Sequence, residues 1–433
     1  MANEQFTVTY VPEEERKKKK FGIKSKILVL TAFVLAIFLA VILYVTLRKS
    51  TKNIRNEFKD VHIKTGSLRG KLTKSNLGGN VIEYLGIPYA KPPIGDLRFS
   101  DPVPPENWNG VLDAFEHGNS CVCYIDKTFG SFVGSNMWNP SNRMNEDCLY
   151  LNVWQPETTS IENAKLPVMV WIYGGGYYSG SSQLEVYDGK VLADSQKVIV
   201  VSFNYRLGPF GFLTTGDDRI SGNFGLKDQQ LALKWVHENI ASFGGDPNEV
   251  TIFGESAGSV SVGLHLSLPG SAKYFKRAIM QSGAPNCYWA ILTKEQAIAK
   301  TEKFLKIIGC KNDAHLKVCL RFKDADFLND KMWMEMKFFY IPFAPYLDGK
   351  FIKRDGYDTL VNGLYQNKSL IVGTNINEGT FWIVYTLLGF FKYNSSEIDY
   401  ETYKKNVKLA LWDLHGGERF LFIFDPKLRK SAF

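Results

Sequence analysis

Five residues, Gly254-Glu255-Ser256-Ala257-Gly258, set one serine between glycines two positions before and two after it. The β-prone residues Val250–Phe253 lead into them, and an apolar-periodic segment (Val260, Val262, Leu264, Leu266) leads out. That spacing predicts a strand, a sharp turn and a helix, with Ser256 at the turn. A serine held in so tight a turn needs glycines at its flanks, where side chains would collide. The turn lifts the hydroxyl to the carboxyl end of the sheet and aims the Ala257 N–H at the place where an oxyanion would form. Upstream, Tyr173-Gly-Gly-Gly176 closes another apolar run. Its bare backbone lets the N–H groups of Gly175 and Gly176 join Ala257 around the same oxygen. The chemistry is acyl transfer through a serine, which also needs a base and an acid to orient it.

In strand–G-x-S-x-G–helix enzymes the acid and then the histidine follow the serine in the chain. The sequence holds six histidines, at 62, 117, 237, 265, 315 and 415. The first three precede the serine. His265 lies nine residues after it on the same helix and reads as core or surface, and His315 falls in a polar loop. His415, ahead of Gly416-Gly417, remains as the base. Leu370-Ile-Val-Gly-Thr-Asn-Ile-Asn-Glu378 places Glu378 in a loop after a strand, where the acid belongs. This chemistry calls for no metal and no cofactor, and none is expected.

Around these residues, 433 residues with 45% hydrophobic content can bury a large core, as one big α/β domain or two ordinary ones. The net charge of +8 sits almost wholly in residues 1–55, which hold eleven Lys/Arg against four Glu. The remainder is near neutral, which argues against nucleic acid as a partner. Residues 27–47 carry no charge over twenty-one positions, with seven cations just before them and four just after. The pattern predicts a basic cytoplasmic tail (1–26), a transmembrane signal-anchor helix (27–47) and a stalk (48–60). The excess of cations on the amino-terminal side predicts a single-pass type II plasma-membrane protein with its catalytic domain outside. Cysteines outside a cell should pair, and Cys310 and Cys319 are close enough in sequence for a small loop closure. Asn367-Lys-Ser and Asn394-Ser-Ser are glycosylation acceptors.

Short strands are expected at Val81–Leu85 and Leu149–Trp154. Buried strands follow at Pro167–Tyr173, Val198–Phe203, Ala278–Gln281 and Leu370–Gly373, with an amphipathic helix over Leu226–Phe243. Apolar strands alternating with helices predict a mostly parallel sheet covered on both faces. With the serine turn at its centre this is the α/β-hydrolase fold, over 61–411, followed by a segment 412–433 that carries His415.

The chain resembles the type-B carboxylesterases, and within them the cholinesterases. The matching stretches are Asn145–Asn152, Trp171–Gly180, Asn204–Gly208, Phe243–Pro247, Phe253–Gly258 and Asn377–Gly379, spread over about residues 61–411. The resemblance implies Ser256 as nucleophile, Glu378 as acid, Gly175, Gly176 and Ala257 as oxyanion hole, and disulfides Cys121–Cys148 and Cys310–Cys319. Cys123 and Cys287 are left without partners. Ser135-Asn-Met-Trp-Asn-Pro140 resembles the segment whose tryptophan, here Trp138, receives a quaternary ammonium on its face, the favoured way to hold a cation that offers no hydrogen bond. Glu255 would add a negative charge, and Tyr187 and Phe381 further cation-site rings. Trp289, Phe339, Ile341 and Trp382 match the acyl pocket, and Tyr124 and Asp126 the rim of the gorge. The implied substrate is a choline-like carboxylic ester.

One departure stands out. His415 follows Glu378 by only 37 residues, where the family has a longer insert that includes the strand delivering the histidine loop. The stretch 400–410 and the segment around His415 each look like family sequence, so the chain reads as a shortened form. Two functions are therefore expected in competition. One is a membrane-anchored extracellular serine esterase. The other is a catalytically impaired cholinesterase-like adhesion or ligand-binding protein.

Overall fold

The computed structural model describes residues 22–157, 165–334, 341–365, 367–381 and 399–406. The chain divides into two units, one up to Glu57 and one from Phe58 onward. The described element of the first is a single 35-residue helix, Ile23–Glu57. The uncharged run 27–47 is not an element of its own. The same helix starts ahead of Lys24 and Lys26 and continues through Arg48, Lys49, Lys52 and Arg55. Among the described residues no helix is long and apolar enough to cross a membrane. This overturns the transmembrane signal-anchor expected over 27–47. With it fall the membrane as a partner, the type II plasma-membrane location and the membrane-anchored form of the esterase.

The second unit is built on a ten-stranded sheet. Its path runs Phe58–Ile63, Gly66–Lys74, Asn80–Pro88, Tyr150–Pro156, Ile199–Phe203, Leu166–Ile172, Gly245–Glu255, Arg277–Gln281 and Ser369–Gly373, with Val111–Asp113 set beside Gly66–Lys74. From Ile199–Phe203 to Ser369–Gly373 every pairing is parallel. The strands before them on that path pair antiparallel, with Val111–Asp113 parallel to Gly66–Lys74, so the sheet is mixed rather than mostly parallel. The reason is connection length. Two residues separate Ile63 from Gly66, and five separate Lys74 from Asn80, which suffices for a hairpin and not for a crossover.

Helices cover the parallel half. The elbow helix Ala257–Ser267 is buried along almost its whole length, and its buried polar side chains Ser259, Ser261 and His265 are hydrogen-bonded. Helix Phe224–Asn239 buries Leu226, Leu233 and Val236 on one stripe, and buries Trp235 on another side. A 3-10 turn, Ile240–Phe243, then ends at Gly244 in the left-handed region (φ 76°). The strand Ile199–Phe203 is buried at all five positions, as a β-branched run between two covered faces should be.

The strand order fixes where the site can lie. After Leu166–Ile172 the chain lays its next strand on one side, at Ile199–Phe203, and the following one on the other, at Gly245–Glu255. Such a reversal opens a crevice at the carboxyl ends of the strands. The two segments leaving the sheet there are Tyr173–Gly176 and Ser256–Gly258.

Candidate active site

Gly254 lies opposite Ile172 in the parallel register, so the glycine loop and the serine turn leave the sheet side by side. Ser256 sits at φ 54°, ψ −123°, a conformation that costs a non-glycine residue and persists only where its surroundings enforce it. They do so closely. A Cβ on Gly254 would stand 2.6 Å from the Ile172 carbonyl oxygen, one on Gly283 2.5 Å from the Ser256 oxygen, and one on Gly258 would run into the Ile172 carbonyl. The Ser256 N–H donates to the Gln281 carbonyl (2.9 Å), and its carbonyl accepts from Val260 (2.9 Å). The strained residue is thus tied to the next strand and to its own helix.

The glycine loop is pressed against this turn. A Cβ on Gly174 would lie 2.5 Å from the Glu255 carbonyl oxygen and 3.1 Å from Ser256 Cβ. Gly175 (φ 104°) and Gly176 (φ 58°) turn the chain. The Gly175 carbonyl points back and accepts from Tyr178 and Ser179 (3.1 and 3.0 Å). No described residue accepts a hydrogen bond from the N–H groups of Gly175, Gly176 or Ala257. Three unspent donors beside a serine hydroxyl suit an oxyanion. Below the loop, the Tyr205 hydroxyl donates to the Tyr173 carbonyl (2.8 Å) and the two rings stack at 4.5 Å. Tyr205 adjoins Arg206, which grips the buried Asp228 through two side-chain bonds of 2.8 and 2.7 Å.

Two carboxylates, Glu255 and Glu378, are close enough to influence each other electrostatically. Burial pushes the Glu255 carboxyl up to about 7, and the charge of Glu378 adds to the rise. The residue as a whole keeps contact with solvent, so water screens part of this effect. Both causes favour the neutral form of Glu255 beside the glycine loop. Glu378 is half-buried in the loop after Ser369–Gly373 and accepts from the Asn375 N–H (2.7 Å). His415, Phe339, Trp382 and Asn394 lie outside the described residues. His265 is fully buried, bonded to the Ser271 hydroxyl (2.8 Å) and to Gln229 (2.9 Å), and burial pushes it down to about 3. It is a core histidine.

The structure gathers the aromatic residues into two groups. Trp138, 48% exposed, stands 6.4 Å from the Tyr187 ring, and Tyr187 packs on Trp171 at 5.1 Å. Burial raises the Tyr187 hydroxyl, and the charge of Glu255 raises it further, so the exposed indole, the phenol and the carboxylate border one space. The second group is Tyr124, Tyr178 and Trp333, mutually edge-on with centroids 4.9 to 6.2 Å apart. Asp126 adjoins Tyr124 and is held by Asn139 through two 2.8 Å bonds. The disulfide Cys121–Cys148 closes the loop that carries Tyr124, Asp126 and Trp138. A second disulfide joins Cys310 and Cys319, and Cys123 and Cys287 are free. Trp289 and Ile341 pack against or within the core, Phe381 is 55% exposed, and Asn367 is exposed. The sequence reading missed Tyr178, Trp171 and Trp333. Tyr178 follows the glycine loop by two residues and was within reach, whereas nothing local marks Trp333.

The profile of the carboxylesterase family matches residues 57–416. The chain belongs to the carboxylesterase family. It is 46% identical over 338 residues to an acetylcholinesterase of Electrophorus electricus, covering 77% of this chain and 53% of that one. An acetylcholinesterase of Danio rerio is 47% identical over the same coverage. A cholinesterase of Mus musculus is 45% identical over 369 residues, 83% of this chain and 60% of its own. The likeness is that of a cholinesterase-like serine hydrolase. The chain spans little more than half the length of these relatives.

Proposed function

We propose that this chain is a cholinesterase-like protein that binds cationic carboxylic esters, keeps the acyl-accepting half of a serine hydrolase, and turns esters over poorly. The observation that carries the reading is the contrast between a strained Ser256 locked against three unspent N–H donors and a Glu378 loop carried on a strand exposed at every residue. The first favours attack on a carbonyl and binding of the resulting oxyanion. The second leaves the acid, and through it the base, loosely held, and a displacement of about 1 Å costs on the order of a hundredfold in rate.

In the proposed reaction Ser256 Oγ attacks the ester carbonyl while His415 takes its proton and Glu378 stabilises the imidazolium. The oxyanion rests on Gly175, Gly176 and Ala257. The choline-like head lies over Trp138 beside Tyr187 and Glu255, where the indole face and the carboxylate favour a cation. Hydrolysis of the acyl-serine by water, with His415 again as base, would restore the enzyme.

The test is labelling of the full chain with a phosphonylating serine probe, with Ser256→Ala as control, followed by turnover of a thiocholine ester. We expect Ser256-dependent labelling and a kcat below about 1 s⁻¹, the low end of ordinary enzymes. A folded chain that is never labelled would overturn the acyl-accepting half. Turnover of hundreds per second would overturn the impairment.

A further inference from the structure

Asn204-Tyr-Arg-Leu-Gly208 is a stretch shared with the family that takes no part in the reaction above, yet the structure sets it against the glycine loop. All five of its residues are buried. It reaches the two carbonyls that frame Gly174–Gly176. At one end the Tyr205 hydroxyl donates to the Tyr173 carbonyl (2.8 Å). At the other the Gly208 N–H donates to the Tyr177 carbonyl (2.7 Å).

We propose that Tyr205 is a positioning residue for the oxyanion donors. Its hydroxyl fixes the Tyr173–Gly174 peptide, and through it the direction in which the Gly175 and Gly176 N–H groups point before an ester arrives. The inference rests on the reading of those N–H groups as the oxyanion hole.

The composition of the loop creates the need for such a hold. Three successive glycines leave their donors bare, and the same lack of side chains leaves the backbone free to adopt other conformations. Gly175 at φ 104° and Gly176 at φ 58° occupy two of the many that glycine allows. Because a peptide is planar, pinning its carbonyl also pins the N–H that follows. Holding the carbonyls of Tyr173 and Tyr177 therefore restrains the loop from both ends. Donors set in place beforehand cost no reorganisation at the moment of reaction, which is what gives an oxyanion hole its effect.

The holder is itself held. The Arg206 N–H and guanidinium bond to the buried Asp228, and Arg206 Nη1 donates to the Ser100 carbonyl (2.8 Å). The Asn204 side chain accepts from the Ser182 N–H and donates to the Asn119 carbonyl, both at 2.9 Å. The Tyr205 and Tyr173 rings stack at 4.5 Å, which places the hydroxyl. Burial raises the Tyr205 phenol well above its ordinary value, so at neutral pH it keeps its proton and remains a donor.

The same segment supplies a matched control. Tyr89 is fully buried, and its hydroxyl donates to the Asn204 carbonyl (2.5 Å). Tyr89→Phe thus deletes a buried phenol oxygen from the same bracket while leaving the bond to the glycine loop in place.

The experiment follows phosphonylation of Ser256 at rising probe concentration in the full chain, in Tyr205→Phe and in Tyr89→Phe. It separates the limiting rate constant from the half-saturating concentration. Both are read on the fraction that labels, so unfolded protein lowers the amplitude and leaves the rate constant alone. Tyr205→Phe keeps the ring pair and should lower the limiting rate by about tenfold or more, since a displacement of about 1 Å costs about a hundredfold. Its half-saturation, and both constants of Tyr89→Phe, should stay within about twofold. An unchanged limiting rate in Tyr205→Phe would overturn the role, as would equal slowing in the two variants. A folded unsubstituted chain that never labels would overturn the acyl-accepting reading and this role with it.

A second measurement covers a Tyr205→Phe chain that does not fold. Tyr173-Gly174 is the one Tyr-Gly pair in the sequence. In the unsubstituted chain, tyrosine labelled at its carbonyl carbon and glycine labelled at its nitrogen isolate one magnetic resonance signal from this peptide. The bracket predicts a single, unbroadened signal before any probe is added. Two signals, or exchange broadening, would sink the proposal.

Discussion

The two halves of the candidate site hang from the same sheet, three strands apart at most, yet they are built to different tolerances. Around Ser256 every neighbouring backbone is within collision distance of an added methyl group, and the adjoining strands bury Ile172 and Ile252 completely. Around Glu378, Gly373 and Gly379 have no atom of a described residue within 4 Å of an added Cβ, and the strand below exposes Ile371 at 64%. The serine half is over-determined by its neighbours and holds a strained residue because of it. The acid half is an edge, where nothing described presses the backbone into place. In this chain the proposed nucleophile and oxyanion donors are features of the core, and the proposed acid is a feature of the periphery.

Matched substitutions break the comparison most directly. Ile252→Ala removes a fully buried side chain between packed strands and should cost about 2–5 kcal/mol. Ile371→Ala, in an equivalent strand one removed, should cost less than about 0.5 kcal/mol. Urea denaturation of both variants measures the difference. Equal costs would mean that the edge is covered in solution.

A second pair acts on function. Gly174→Ala puts a methyl 2.5 Å from the Glu255 carbonyl oxygen and 3.1 Å from Ser256 Cβ, so the loop or the turn must move. Labelling of Ser256 should slow by about a hundredfold, as expected for a displacement of about 1 Å at reacting atoms. Gly379→Ala meets no described residue and should change labelling less than about twofold, within the range of unconstrained surface changes. Parallel rate measurements with one probe decide the matter.

How much of this was legible beforehand follows the same division. The serine turn, the glycine loop and the parallel strands are local signals. Each is a short run whose residue types admit one backbone path, so G-x-S-x-G between a β-prone and an apolar-periodic stretch could be read directly. The antiparallel half was misjudged because burial on both faces and hairpin geometry leave similar apolar runs. The apolar run 27–47 was read by charge alone, and the structure makes it part of a helix that passes through both charged flanks. Trp333 was missed because its partners, Tyr124 and Tyr178, are far away in sequence and meet it only through the fold. His265 was expected in the core or at the surface, and its place on the elbow helix puts it in the core.

That histidine gives the next prediction, on the stability of the serine half. Its folded value near 3 lies below the ordinary 6.5, so the unfolded chain binds the extra proton first as the pH falls. The stability it contributes is whole above about pH 6.5 and drains away towards pH 3, by about 1.4 kcal/mol per pH unit for a single proton. His265→Gln, which keeps a polar group against Gln229 and Ser271, should flatten that slope in denaturation midpoints measured between pH 6.5 and 4. An unchanged slope would place the acid sensitivity elsewhere.

The smallest expected effect lies where the two halves touch. Glu255 belongs to the serine turn, but its proton is governed partly by Glu378 on the edge. With its carboxyl pushed up to about 7, Glu255 is largely neutral below that pH and charged above it. A quaternary ammonium resting near Trp138 should therefore bind more tightly as the pH rises through 7, by a few-fold given the solvent contact of the carboxylate. Glu255→Gln should abolish that rise while leaving the indole contribution. Glu378→Gln, which removes only the neighbouring charge, should instead move the midpoint of the rise to lower pH. Titrating tryptophan fluorescence with tetramethylammonium across pH 6–8 in all three chains separates the outcomes. A midpoint unmoved by Glu378→Gln would mean that the edge loop does not stay beside the serine turn in solution, and the two halves would then be electrostatically as well as mechanically independent.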